Sequence, residues 1–185
     1  MINTNNLKRG IVLKLDDMLF EVLEASHYKP GKGNAFVRAK LRNLATGNVL
    51  DKRLRNGEKV EDVFIEKKNM QYLYQEGDNY IFMDTESYEQ SPVSAKVLGE
   101  NALYLKDGLE VLIKYYQGNI IGIELPAHIE LEVTYTEPGV RGDTATSASK
   151  PIKLETGLEV QGPLFVNIGD RVKVDTRTGD YVERV

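Results

Sequence analysis

The chain contains no cysteine and only two histidines in 185 residues. Without cysteine there can be no disulfide and no thiolate metal site, and two histidines alone make a poor zinc site. His27 and His128 stand far apart in sequence and read as structural or simply exposed. The opening stretch MINTNNLKRG lacks the apolar core of a secretory signal. No apolar run approaches the roughly 20 residues that a membrane helix needs. The expectation is a cytoplasmic protein with no membrane partner. Catalytic signatures are missing too. There is no G-x-x-x-x-G-K-S/T phosphate loop, no G-x-G-x-x-G fingerprint and no Ser/His/Asp arrangement. No catalytic residue, no metal and no cofactor is therefore expected. A net charge of −4 excludes a polycation that coats nucleic acid by bulk charge.

What is present is alternation. In FVRAKLRN, Val37, Ala39 and Leu41 face one way, and Arg38, Lys40 and Arg42 face the other. Met70, Tyr72 and Tyr74 share a face in NMQYLYQ. Ile129, Leu131, Val133 and Tyr135 alternate with polar residues in HIELEVTYT, and Val172 and Val174 with charges in DRVKVDT. Turn signals separate these runs at Thr46-Gly47-Asn48, Glu76-Gly77-Asp78, Gly118-Asn119, Pro138-Gly139 and Thr178-Gly179-Asp180. The pattern predicts an all-β chain of short antiparallel strands. One helix is expected, with Ser91 as N-cap and Pro92 at the first helical position. Ala95, Leu98, Ala102 and Leu105 would line its buried side, and Asp107-Gly108 would end it.

An internal echo organises the chain. GLEVLIKYYQG at 108–118 and GDRVKVDTRTG at 169–179 share a frame of Gly, Val three residues on, Ile or Val five on, and Gly ten on. The echo predicts two similar small barrels. With the N-terminal part this gives three barrels in tandem, 1–65, 66–127 and 128–185. Compact barrels of this size are about 25–30 Å across, so three in a row form an elongated molecule of about 75–85 Å.

Charge is not shared equally among them. Residues 1–65 hold 12 Lys+Arg and 8 Asp+Glu, whereas both later segments are net acidic. Within 29–55, eight basic residues (Lys29, Lys32, Arg38, Lys40, Arg42, Lys52, Arg53, Arg55) meet one acid, Asp51. Such a patch is either a contact for an anionic partner or a solvated strand face. At its head stands Lys29-Pro30-Gly31-Lys32-Gly33-Asn34. Pro30-Gly31 is the favoured central pair of a type II turn, with Gly31 at positive φ. Glycine on both sides lets Lys32 approach another surface unshielded. A lysine so placed can meet a phosphate, be presented to a modifying enzyme, or be an ordinary loop lysine.

Several stretches together resemble the bacterial elongation factor P family. They are KPGKGNAFVRAKLRNL, YLYQEGDNYIFMD, IELP, TEPGVRGDTA, KPIKLETGLEV and PLFVNIGDRVKVDTRTGDYVERV, in order along the whole chain. The resemblance implies an SH3-like, KOW-type first domain followed by two OB folds, in an L shape that mimics tRNA. It implies a monomeric, non-enzymatic factor on the 70S ribosome, between the peptidyl-tRNA and exit sites, which rescues stalling at consecutive prolines. Lys32 matches the tip position, which a lysine-modifying enzyme extends in many members; some relatives carry arginine there. Lys29, Pro30, Gly31, Lys32, Gly33, Asn34 and Arg38 would meet the peptidyl-tRNA in the P site. Gly142, Asp143 and Thr144 match the loop that lies near the exit-site codon of the mRNA. Arg141-Gly142-Asp143 also spells a cell-adhesion tripeptide, a match too short to weigh.

The alternative is a general single-stranded nucleic-acid-binding protein built on OB folds. That function needs a basic groove with exposed aromatics along the second and third domains, and both are net acidic. With no acid–base or nucleophilic group arranged, the contribution to rate would be positioning. Ideal orientation can supply up to about 7–11 kcal/mol, of which a rescue factor needs a small part.

Overall fold

The computed structural model describes residues 1–31, 33–138 and 148–185. Period-two patterning becomes strand wherever a buried face is available to it. The first sheet contains β1 (Ile2–Asn3), β2 (Val12–Leu15), β3 (Met18–Tyr28), β4 (Phe36–Asn43), β5 (Val49–Arg55) and β6 (Lys59–Val63). Its order is β1-β6-β2-β3-β4-β5. Val37, Ala39 and Leu41 are fully buried and join Leu13, Val22, Leu54 and Val60 in one core. Arg38, Lys40 and Arg42 are exposed, as the alternation predicts.

The second sheet contains β7 (Glu66–Glu76), β8 (Asn79–Asp84), β9 (Gln90–Ser94), β10 (Glu110–Tyr116) and β11 (Asn119–Glu124), in the order β11-β10-β7-β8-β9. The third contains β12 (His128–Thr136), β13 (Ser149–Leu154), β14 (Glu159–Pro163), β15 (Arg171–Asp175) and β16 (Tyr181–Arg184), in the order β14-β13-β12-β15-β16. Numbered within each sheet, both run 5-4-1-2-3. The echoed segments are β10 and β15, the fourth strand of each, so the sequence echo reflects a shared topology. The chain folds as two compact units, residues 1–67 with 114–122, and residues 68–113 with 123–185.

Two residues leave the face that alternation gives them, for one reason. Tyr74 is 49% exposed and Tyr135 58% exposed, although alternation points both inward. The register shifts between Tyr72 and Tyr74 in β7 and between Val133 and Tyr135 in β12. One extra residue at each bulge reverses which side faces the core. Thr136 is buried beyond the second bulge, its hydroxyl donating to the Pro151 carbonyl at 3.0 Å.

The expected helix is also corrected. Ser91 and Pro92 lie in β9, opposite Phe82 and Ile81. β9 is the edge of its sheet, where the N–H that proline lacks can face away from the neighbour. The α-helix, α1, covers only Ala95–Leu98, with Ser94 as its N-cap. Gly99 takes φ +54° and ends it after one turn, and a 3-10 segment continues to Tyr104.

The third sheet has an electrostatic clasp at one end. The Asp175 carboxylate accepts from Arg177 Nη2 at 2.7 Å, Arg177 Nε at 3.1 Å and the Arg177 backbone N–H at 2.8 Å. His128 Nε2 lies 3.7 Å away. The bonds from Arg177, assisted by His128, hold the Asp175 carboxyl well below the usual carboxylate range. A carboxyl lowered on folding adds stability above its unfolded pKa of about 3.9 and loses it as pH falls toward the folded value. Asp175→Asn should therefore lower the thermal midpoint at neutral pH. The gap from wild type should close between about pH 4 and about pH 2. Melting curves across that range check this; a gap independent of pH would contradict it.

Candidate nucleic-acid interface

The register of β3, β4 and β5 lays out the outer face of the first sheet in rows. Nearest the β3–β4 connection, Arg55 and Tyr28 flank Phe36. Next, Arg53 and Ser26 flank Arg38. Then Asp51 and Glu24 flank Lys40, and last Val49 and Glu21 flank Arg42. Residues directly opposite share a face of the sheet. The two rows nearest the connection therefore carry Arg55, Arg53 and Arg38 with no carboxylate. In the two far rows, Lys40 and Arg42 meet Asp51, Glu24 and Glu21. Positive charge on this face is concentrated at the connection end.

Side-chain contacts sharpen the contrast. Tyr28 and Phe36 stack with centroids 5.3 Å apart and planes 12° apart. The Arg53 guanidinium lies over the Phe36 ring, 5.0 Å from its centroid. Arg38 reaches the other way and donates from Nη2 to Asp51 Oδ2 at 3.2 Å. That carboxylate, with a smaller contribution from Tyr28, raises the already high pKa of Arg38. Glu24, Ser26, Tyr28, Arg38, Lys40 and Asp51 line a polar depression between the strands.

The predicted contact residues Lys29, Pro30, Gly31, Gly33 and Asn34 lie in the connection between β3 and β4, all exposed. Lys32 lies outside the described residues. The glycine at positive φ is Gly33, at +113°, and not Gly31. The last strand pair is Tyr28 with Phe36, so the connection spans residues 29–35. Gly31 lacks the positive φ that the expected type II turn requires at that position, and a connection of that length need not reverse at Pro30-Gly31. A Cβ at Gly33 would sit 3.8 Å from the Pro30 ring, an ordinary contact. Among the predicted residues that the structure describes, Arg38 alone lies on the sheet face.

Sequence reasoning passed over Tyr28, Phe36, Arg53 and Arg55 as site residues. The signal was available in part. Counting back from the Thr46-Gly47 turn pairs Arg42 with Val49 and puts Arg53 opposite Arg38. The second predicted contact, Gly142, Asp143 and Thr144, falls within 139–147 and lies outside the described residues. The strands that flank it are well anchored. Lys150 is buried, and its Nζ donates to the Glu137 carbonyl at 2.8 Å.

Three family descriptions match this chain in succession. The elongation factor P KOW-like domain matches residues 3–60, the elongation factor P OB domain 65–123, and the elongation factor P C-terminal domain 129–184. Elongation factor P of Coprothermobacter proteolyticus is 52% identical over 185 residues, covering 100% of both chains. Elongation factor P of Synechococcus sp. (strain JA-3-3Ab) is 54% identical over 184 residues, also covering 100% of both. Among solved structures, eukaryotic translation initiation factor 5A from Methanococcus jannaschii is similar with a TM-score of 0.52 and 27% identity. That likeness covers 67% of this chain and 93% of the other.

Proposed function

The chain belongs to the elongation factor P family, and from that premise we propose that it holds peptidyl-tRNA on the ribosome in a geometry that favours peptide-bond formation between consecutive prolines. It is a translation elongation factor. Its place is the cytoplasm, on the 70S ribosome between the peptidyl-tRNA and exit sites, where it acts as a monomer. Three modules share the work: 1–65, 66–127 and 128–185. The first meets the tRNA through Lys29, Pro30, Gly31, Lys32, Gly33, Asn34 and Arg38. A lysine-modifying enzyme acts on Lys32. The third module meets the exit-site codon of the mRNA through Gly142, Asp143 and Thr144.

The observation that carries this reading is the charge gradient on the first sheet. Its two rows beside the 29–35 connection hold three arginines and no carboxylate, and the far rows are compensated. A face charged only at one end suits a phosphate backbone met end-on. Lys29 and Arg38 are accordingly better contacts than Arg42, which stands opposite Glu21. Factor alone contributes no acid or base to the reaction; restricting the reacting ends lowers the entropic part of the barrier.

Binding distinguishes this reading from that of a general single-strand binder. The factor should bind ribosomes stalled at Pro-Pro with peptidyl-tRNA in place, and bind naked single-stranded RNA far more weakly. A tight, salt-sensitive complex with naked RNA would favour the alternative. Within the complex, Asp143→Ala should reduce activity while the melting temperature stays within about 0.5 kcal/mol equivalent of wild type. A midpoint drop that parallels the activity loss would instead mark Asp143 as a turn-stabilising residue that bonds its own backbone.

A further inference from the structure

Arg53 and Arg38 stand directly opposite each other on β5 and β4. Like charges in that position destabilise a sheet. The structure parts them in two different ways. Arg38 turns to Asp51 and forms an ion pair at 3.2 Å. Arg53 turns to Phe36, whose ring is itself stacked on Tyr28. One guanidinium is thereby neutralised. The other keeps its full charge, with its guanidinium carbon 5.0 Å from the centre of the stacked Phe36 ring.

We propose that Arg53, laid on the Tyr28–Phe36 stack, is the principal phosphate contact of the first module. This rests on the reading of that module as a tRNA contact. A phosphate that approaches Arg38 must compete with Asp51 and accept its repulsion. Among the described residues no carboxylate pairs with Arg53, and a ring face attracts the cation without cancelling its charge. The ring also removes much of the arginine's rotamer freedom before any partner arrives. Less entropy is then lost when the planar fork closes on phosphate oxygens. Arg55, opposite Phe36 in the row nearest the connection, extends the same positive edge. The stack joins the two strand ends from which residues 29–35 depart, so Arg53 and the connection address one partner.

Charge and preorganisation leave different marks on a salt titration. The slope of log affinity against log salt counts the cations that meet phosphate, about 0.7–0.9 for each. Preorganisation changes affinity at every salt concentration without changing the slope. The test is binding of the full-length factor to ribosomes with peptidyl-tRNA in the P site, at several salt concentrations. Arg53→Gln should weaken binding by roughly tenfold and flatten the slope by nearly one contact. Arg38→Gln should do less on both counts. Phe36→Leu keeps an apolar side chain in the strand but removes the ring; it should weaken binding several-fold with the slope unchanged. Phe36→Tyr should restore wild-type behaviour. Melting curves identify any variant that has lost its fold, and Arg53→Met, which keeps the length of the side chain but not its charge, then reads the slope in its place. The inference is overturned if wild type binds with a clear salt slope and Arg53→Gln matches it, or if Arg38→Gln has the larger effect. If wild type itself shows no salt-dependent binding, the tRNA reading fails and takes this inference with it.

Discussion

Lys32→Ala is expected to fold like the wild type and to lose about tenfold or more in the rate of synthesis through consecutive prolines, a change of about 1.4 kcal/mol in the barrier. The stability half of this expectation follows from the neighbours. Gly31 and Gly33 are exposed, and the strands end at Tyr28 and Phe36. Exposed loop changes away from caps and cores usually stay within about 0.5 kcal/mol. The functional half follows from where those strands lead. Arg53 and Arg55, which stand in rows without a carboxylate, would guide an anionic partner to the end of the sheet from which the 29–35 connection departs. A group that orders the reacting end of a tRNA acts on the entropy of the step, and that term is large enough for one amine to matter. Single-turnover kinetics on a Pro-Pro message, beside a melting curve, checks both halves. If Lys32→Ala is as active as wild type, the lysine is an ordinary loop residue.

The largest effect on stability should come from Leu131→Ala. Leu131 is fully buried in β12 among Ile129, Val133, Ile152, Leu154, Val172 and Val174. Removing a fully buried leucine side chain costs about 3 kcal/mol or more, from lost transfer energy and the cavity left behind. For a small domain that is a large share of the total, and it lowers the midpoint by roughly 15 °C. Tyr135→Ala, four residues along the same strand, should cost less than about 0.5 kcal/mol, because the bulge turns Tyr135 out. Plain alternation gives the opposite forecast for Tyr135. Comparable losses in the two variants would mean that the bulge does not set the register.

That pair shows what alternation can reveal. Strands were legible because each has one buried side, as with Val37, Ala39 and Leu41 against Arg38, Lys40 and Arg42. Bulges were not legible. One inserted residue leaves no mark in the pattern until its partner strand is known, so alternation places Tyr74 with Met70 and Tyr72, and Tyr135 with Leu131 and Val133. The proline at 92 misled for a related reason. Pro is as acceptable on a sheet edge as at a helix start, and only pairing with β8 separates the two. At the interface, β4 alone displays three cations. It does not disclose that Glu24, Glu21 and Asp51 stand beside Lys40 and Arg42, or that Phe36 and Asp51 draw Arg53 and Arg38 apart. Cross-strand neighbours depend on register, which turn lengths and bulges decide together. Family membership was legible because six separate stretches agree in order along the chain.

The most direct measurement is the rate of peptide-bond formation in reconstituted translation with and without the wild-type factor. One message encodes consecutive prolines; a matched message lacks them. Ribosomes on the first should stall without the factor and proceed when it is added, and rates on the second should not change. Equal rates on the proline message with and without the factor would contradict a role in positioning peptidyl-tRNA at consecutive prolines.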